Sequence, residues 1–187
     1  MFNVYHYEKK KEQFVVISNK SRSTKAEISL HRGGSLSNLM VNHKKIITDL
    51  GPLAYEKTYA SSILFPFANR VNYGNYSFLG KNYQLDCNEK KNENALHGLV
   101  YDKKFKIVNE IINENYVEIK LLYEITNAHK GFPYSFKIEL SYELHESSLK
   151  INLNICQNNK KLRHHWYYIF KFIFIPFPKC DFLEYGS

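Results

Sequence analysis

The run Val117-Glu118-Ile119-Lys120-Leu121-Leu122-Tyr123-Glu124-Ile125 places an apolar side chain at every second position, with Glu118, Lys120 and Glu124 among the residues between. A period of two sets one face of an extended chain against a core and the other in water. Two further runs repeat it. Phe136, Ile138, Leu140, Tyr142 and Leu144 alternate with Lys137, Glu139, Ser141 and Glu143; Leu149, Ile151, Leu153 and Ile155 alternate with Lys150, Asn152 and Asn154. The breaks between runs, Asn127 to Pro133 and His145 to Ser148, are short. Strands joined so tightly pair antiparallel, and the pattern predicts an all-β meander.

Upstream the same scheme is less clean. Ala26-Glu27-Ile28-Ser29-Leu30 alternates, Gly33-Gly34 breaks it, and a short run follows around Leu39-Met40-Val41. Tyr76 and Phe78, then Tyr83 and Leu85, flank Gly80-Lys81-Asn82, which predicts a hairpin turn. No helical stripe exceeds two turns, and no repeat or linker divides the chain, so residues 1–187 are expected to form one domain. Downstream, from about Leu162, the alternation collapses into His164-His165-Trp166-Tyr167-Tyr168-Ile169-Phe170-Lys171-Phe172-Ile173-Phe174-Ile175. Residues 162–187 read either as a buried strand or two, or as the product of a reading-frame error. The longest apolar stretch, Trp166 to Phe177, is interrupted by Lys171 and Pro176 and falls short of the roughly 20 residues a bilayer-spanning helix needs, so no membrane partner is expected.

Composition agrees. With 44% apolar and 24% charged residues, the chain has the balance of a soluble globular protein. Its 15 Tyr and 13 Phe suit a pleated surface, and exposed rings can cover the apolar face of a pyranose. The formal charge of +8 raises nucleic acid as a partner. The lysines are scattered, however, and the densest cluster, Lys9-Lys10-Lys11, lies near the N-terminus. Nucleic-acid binders concentrate basic residues and interleave stacking aromatics, so that partner is not expected. Cys87, Cys156 and Cys180 are odd in number and far apart, with no C-x-x-C pair. That predicts neither a metal site nor a disulfide framework, but reduced thiols in a cytoplasmic protein. The first residues carry no signal-peptide pattern.

Two segments put polar residues where strands should end. In Phe65-Pro66-Phe67-Ala68-Asn69-Arg70-Val71 the guanidinium sits in an apolar context. There it must either pair with a buried carboxylate or face a polar pocket, and its planar fork of donors suits sugar hydroxyls. In Asn94-Ala95-Leu96-His97-Gly98-Leu99 the histidine is either structural or a proton donor and acceptor, and Gly98 permits close approach of a ligand to the backbone.

Taken together in order and spacing, Phe67-Ala68-Asn69-Arg70-Val71, Gly74, Tyr76, Phe78, Gly80, Tyr83, Leu85, Asn88 and Leu96-His97-Gly98 resemble the aldose 1-epimerase (galactose mutarotase) family signature. Gly33-Gly34-Ser35-Leu36-Ser37-Asn38-Leu39 resembles the family's early glycine-then-leucine turn, and Gly131-Phe132-Pro133-Tyr134 its glycine–aromatic–proline–aromatic segment; the likeness covers roughly residues 10 to 160. It implies an antiparallel β-sandwich of the galactose-mutarotase type, incomplete at its C-terminal end, with an aldohexose as the small-molecule partner. It also implies that Arg70 contacts sugar hydroxyls, that His97 contacts the sugar near the reacting carbon, and that Asn69 shapes the pocket. The implied reaction interconverts α and β anomers. An acid protonates the ring oxygen, a base takes the C1 hydroxyl proton, the ring opens, C1–C2 rotates, and closure on the other face gives the second anomer. The free aldehyde is itself the intermediate, so no cofactor is required.

The sequence departs from the family pattern in two places. The family's acid is a histidine in a glycine-rich segment ending in His-Pro-Tyr; here Leu162-Arg163-His164-His165-Trp166-Tyr167-Tyr168 stands there, and His164 or His165 is the available substitute, without the glycines or the proline. The family's base, a glutamate far towards the C-terminus, has no match, and Glu184 reads as a surface carboxylate. The expectation is therefore mutarotase ancestry with an incomplete catalytic set, the alternative being a carbohydrate-binding module without catalysis.

Overall fold

The computed structural model of the chain describes residues 1–48, 51–126, 129–157 and 160–161. Two five-stranded antiparallel meanders account for most of it. The first runs β1 (Phe2–Lys9), β2 (Glu12–Asn19), β3 (Lys25–Ser29), β4 (Leu36–Val41) and β5 (Lys44–Ile47), each pairing with the next. Between the meanders lie a single helical turn, α1 (Tyr55–Thr58), the two-residue strand β6 (Arg70–Val71), the hairpin β7 (Asn75–Phe78) and β8 (Lys81–Gln84), and the two-residue strand β9 (Ala95–Leu96). The second meander is β10 (Lys106–Ile112), β11 (Val117–Ile125), β12 (Phe136–Leu144), β13 (Leu149–Gln157) and β14 (Lys160–Lys161).

The alternation read from the sequence sets the register. Ile119 pairs with Tyr142 and Leu121 with Leu140 across β11 and β12, and Leu140 with Leu153 across β12 and β13. Val117, Ile119, Leu121, Ile138, Leu140, Tyr142 and Leu144 are all at most 1% exposed. Their apolar face meets Val15, Ile17, Ala26, Ile28, Leu39 and Val41 of the first sheet in one continuous core. The two sheets thus stack face to face as a sandwich, the arrangement that buries one side of each. Polar contacts lock the stack. The buried Tyr142 hydroxyl donates to the Gly34 carbonyl at 2.6 Å. Asn19, fully buried at the end of β2, donates to Glu146 Oε1 at 2.8 Å in the turn between β12 and β13, and Thr24 Oγ1 donates to the Glu146 carbonyl at 2.7 Å.

Among the strands that the alternation does not announce are β1, β2 and β10. β2 is buried on both faces along Phe14-Val15-Val16-Ile17, so its apolar run carries no period. β1 pairs with it through a turn at Lys10 and Lys11, both with left-handed backbone, φ 52° and 66°; the basic cluster is a hairpin loop. β10 carries an irregularity in its pairing with β11 between Ile107 and Asn109, which puts Val108 out in solvent and breaks the period of two. The predicted hairpin around Gly80 is there, with Tyr76 opposite Tyr83. The expectations for residues 162–187, including His164, His165 and Glu184, lie outside the described residues.

Candidate functional site

Asn69, Arg70 and His97 are brought together by a ladder of only two residue pairs. β6 and β9 pair Arg70 with Leu96 and Val71 with Ala95. One residue further out, the His97 N–H donates to the Asn69 carbonyl at 3.0 Å, and the Asn69 N–H donates back to His97 Nδ1 at 3.3 Å. Both residues adopt left-handed backbone, φ 66° for Asn69 and 65° for His97, a conformation that Asn and His tolerate better than most residues. Asn69 thus meets His97 through its main chain. Gly98 completes the turn: its φ is +74°, and a Cβ there would sit 2.3 Å from the Phe65 carbonyl oxygen, so only glycine fits. That proximity lets the Leu99 N–H donate to Phe65 at 2.7 Å, binding the His97 segment to the Phe65–Arg70 segment.

Of the two possibilities open for Arg70, the structure has the carboxylate. Glu89 receives its fork in two parallel bonds, Nε to Oε2 at 2.8 Å and Nη2 to Oε1 at 2.5 Å. Arg70 is exposed rather than enclosed in apolar surroundings, its side chain 51% accessible against 16% for Glu89. Asn94 also donates to Glu89 Oε2, at 2.9 Å. The Arg70 fork and then Asn94 hold the Glu89 carboxyl down at about 2, so at neutral pH it is an anion and a weak base. Asn88 grips the strand before His97 at both main-chain groups, accepting from the Leu96 N–H at 2.6 Å and donating to its carbonyl at 2.9 Å.

The chemistry of His97 follows from its partners. Its Nδ1 is an acceptor, so the neutral ring carries its proton on Nε2. Partial burial, and after it the positive charge of Arg70, push its pKa below the ordinary 6.5, with Glu89 opposing. At neutral pH the site thus offers a neutral Nε2–H donor beside a guanidinium, both able to meet the lone pairs of hydroxyl or ring oxygens.

With this geometry in view, the sequence profile of the aldose 1-epimerase family matches residues 13–163, more than three quarters of the chain. The chain belongs to the aldose 1-epimerase family. The fold agrees with solved structures. A galactose mutarotase-like protein of Clostridium acetobutylicum superposes with a TM-score of 0.70 at 22% identity, over 83% of this chain and 49% of that one. An aldose epimerase homologue from C. elegans gives 0.59 at 19% identity, over 79% and 46%. A galactose mutarotase related enzyme from Lactobacillus acidophilus gives 0.54 at 19% identity, over 83% and 43%. The chain matches about half the length of these aldose 1-epimerase-like proteins or less.

Sequence reasoning quoted Asn88 and Asn94 within its motifs without giving either a part, and it missed Glu89. Glu89 and Asn94 sit in the lysine- and asparagine-rich stretch Asn88–Asn94, where no periodicity marks one carboxylate as different from any other. The signal that could have found Glu89 is the argument that Arg70 needed a partner.

Proposed function

We propose that the Asn69–Arg70–His97 face binds an aldohexose and is the sugar-holding part of a mutarotase site. The observation that carries this is the joining of Arg70 and His97 through one two-residue ladder, with a neutral Nε2–H on a ring that feels the charge of a fixed guanidinium. In the anomer-interconverting reaction, Arg70 orients the sugar through hydroxyl contacts and His97 donates a hydrogen bond to an oxygen near C1. As electron density builds on that oxygen during ring opening, the bond strengthens, which is how such a donor lowers a barrier. A base must also remove the C1 hydroxyl proton. Glu89 is unsuited to that part, being bound to Arg70 with its carboxyl near 2. This favours a second reading, in which the chain binds sugar without turning it over.

Two measurements on the purified chain separate the readings. Calorimetric or NMR titration with D-galactose reports binding, and polarimetry of freshly dissolved α-galactose and α-glucose reports mutarotation. Saturable binding lost in His97→Ala supports the site. Acceleration of mutarotation above the spontaneous rate, also lost in His97→Ala, adds catalysis, whereas binding without acceleration leaves the sugar-holding reading alone. Absence of binding in the folded chain refutes both.

A further inference from the structure

Tyr59 ends the single turn of α1 in left-handed backbone, φ 47°, with its N–H donating to the Tyr55 carbonyl at 2.7 Å. Its ring meets the His97 imidazole edge-to-face, centroids 4.5 Å apart at 62°, and the Tyr101 ring at 5.2 Å and 76°. The turn is anchored to the first sheet. The Tyr55 hydroxyl lies 3.3 Å from the Arg32 carbonyl, 3.0 Å from the Tyr101 carbonyl, and against the Ser62 hydroxyl. The Arg32 guanidinium covers the Tyr55 ring at 5.1 Å and pairs with Glu12 of β2 at 2.9 Å. On the other flank, Asn88 donates to the Tyr101 hydroxyl at 2.8 Å. The imidazole is thus held at Nδ1 by one amide and across its ring by Tyr59, while among the described residues none bonds its Nε2.

We propose that Tyr59 is a positioning residue for His97: its ring holds the imidazole on the Asn69 amide and shields it from water, which leaves Nε2–H for the ligand. An edge-to-face pair of rings adds attraction beyond burial, enough to bias a side chain that otherwise swings on two torsions. Without the ring, water reaches Nδ1, competes with the long 3.3 Å amide bond, and lets the proton settle on either nitrogen. Arg70 and Glu89, the charged groups facing His97, remain, as does the Tyr101 hydroxyl; the change is one of solvation and ring orientation.

The test follows the His97 ring nitrogens by NMR across a pH titration of the whole chain, beside D-galactose titrations. Tyr59→Phe keeps the ring. Tyr59→Asn removes it while suiting the left-handed backbone, and Tyr59→Gly serves if the asparagine variant does not fold. The wild type and Tyr59→Phe are expected to show the Nε2–H tautomer with a pKa below 6.5. In the ringless variant the tautomers mix, the pKa rises towards 6.5, and galactose binding weakens about tenfold. An unchanged tautomer and pKa in the ringless variant, or the same change in Tyr59→Phe, overturns the proposal. Only the affinity arm rests on the sugar-binding reading. If no form of the chain binds galactose, that reading fails, and the tautomer and pKa still decide the part played by Tyr59.

Discussion

At the scale of single residues, the pair Arg70–Glu89 shows how a surface carboxylate becomes structural. A guanidinium free to swing would lose rotamer entropy on meeting a sugar; held in a two-point fork, it has already given that up. Glu89→Gln keeps the shape but loses the charge-assisted fork, and galactose affinity is expected to drop about tenfold in calorimetric titration. Because the Glu89 carboxyl is depressed to about 2, the fork is complete above the ordinary carboxylate range and is lost only as pH falls through that value. Sugar binding is therefore expected to be insensitive to this pair between about pH 7 and pH 5. His97 has the opposite consequence for mild acid. Its folded pKa is lowered, so between that value and 6.5 the unfolded chain binds more protons, and folding stability falls as pH drops through the window. His97→Asn, which tolerates the same left-handed backbone, is expected to lose less stability than the wild type when urea midpoints are compared at about pH 7 and about pH 5.5.

At the scale of elements, β11, β12 and β13 were legible because a half-buried strand must alternate, and Phe136 to Leu144 does so without fault. β10 was not, because its bulge removes the period; β2 was not, because a strand covered on both faces has none. Turns tell a similar story. Lys10 and Lys11 occupy a two-residue hairpin loop with both φ positive, a geometry that favours Asn-Gly. Replacing the two lysines by asparagine and glycine (K10N/K11G) is expected to stabilise the chain by about 1 kcal/mol and raise the thermal midpoint by roughly 3 °C. Gly98→Ala tests the turn that holds the site. With a Cβ placed 2.3 Å from the Phe65 oxygen and a positive φ, it is expected to cost about 3 kcal/mol in denaturant unfolding and to weaken the Asn69–His97 pairing.

At the scale of the whole molecule, the stack of two sheets rests on a shared apolar core and on a few polar groups, Tyr142, Asn19 and Thr24, that bond across the sandwich. Tyr142 is the clearest. Its ring occupies a core position predicted by the alternation, yet its hydroxyl is tolerable there only because the Gly34 carbonyl accepts it. Tyr142→Phe leaves that carbonyl without its donor and is expected to cost about 1–2 kcal/mol in urea unfolding, with the fold retained by circular dichroism.

The sequence by itself determined that β11, β12 and β13 each have a buried face and which residues lie on it. These properties follow from periodicity and local chemistry, which act over a few neighbouring positions. Only the tertiary structure decided that Glu89 is the partner of Arg70, that Tyr59 rests on His97, and that Gly34 satisfies Tyr142. Each of those pairings joins segments far apart along the chain, and their meeting is set by how irregular connections pack over the sheets, for which no local pattern exists to be read.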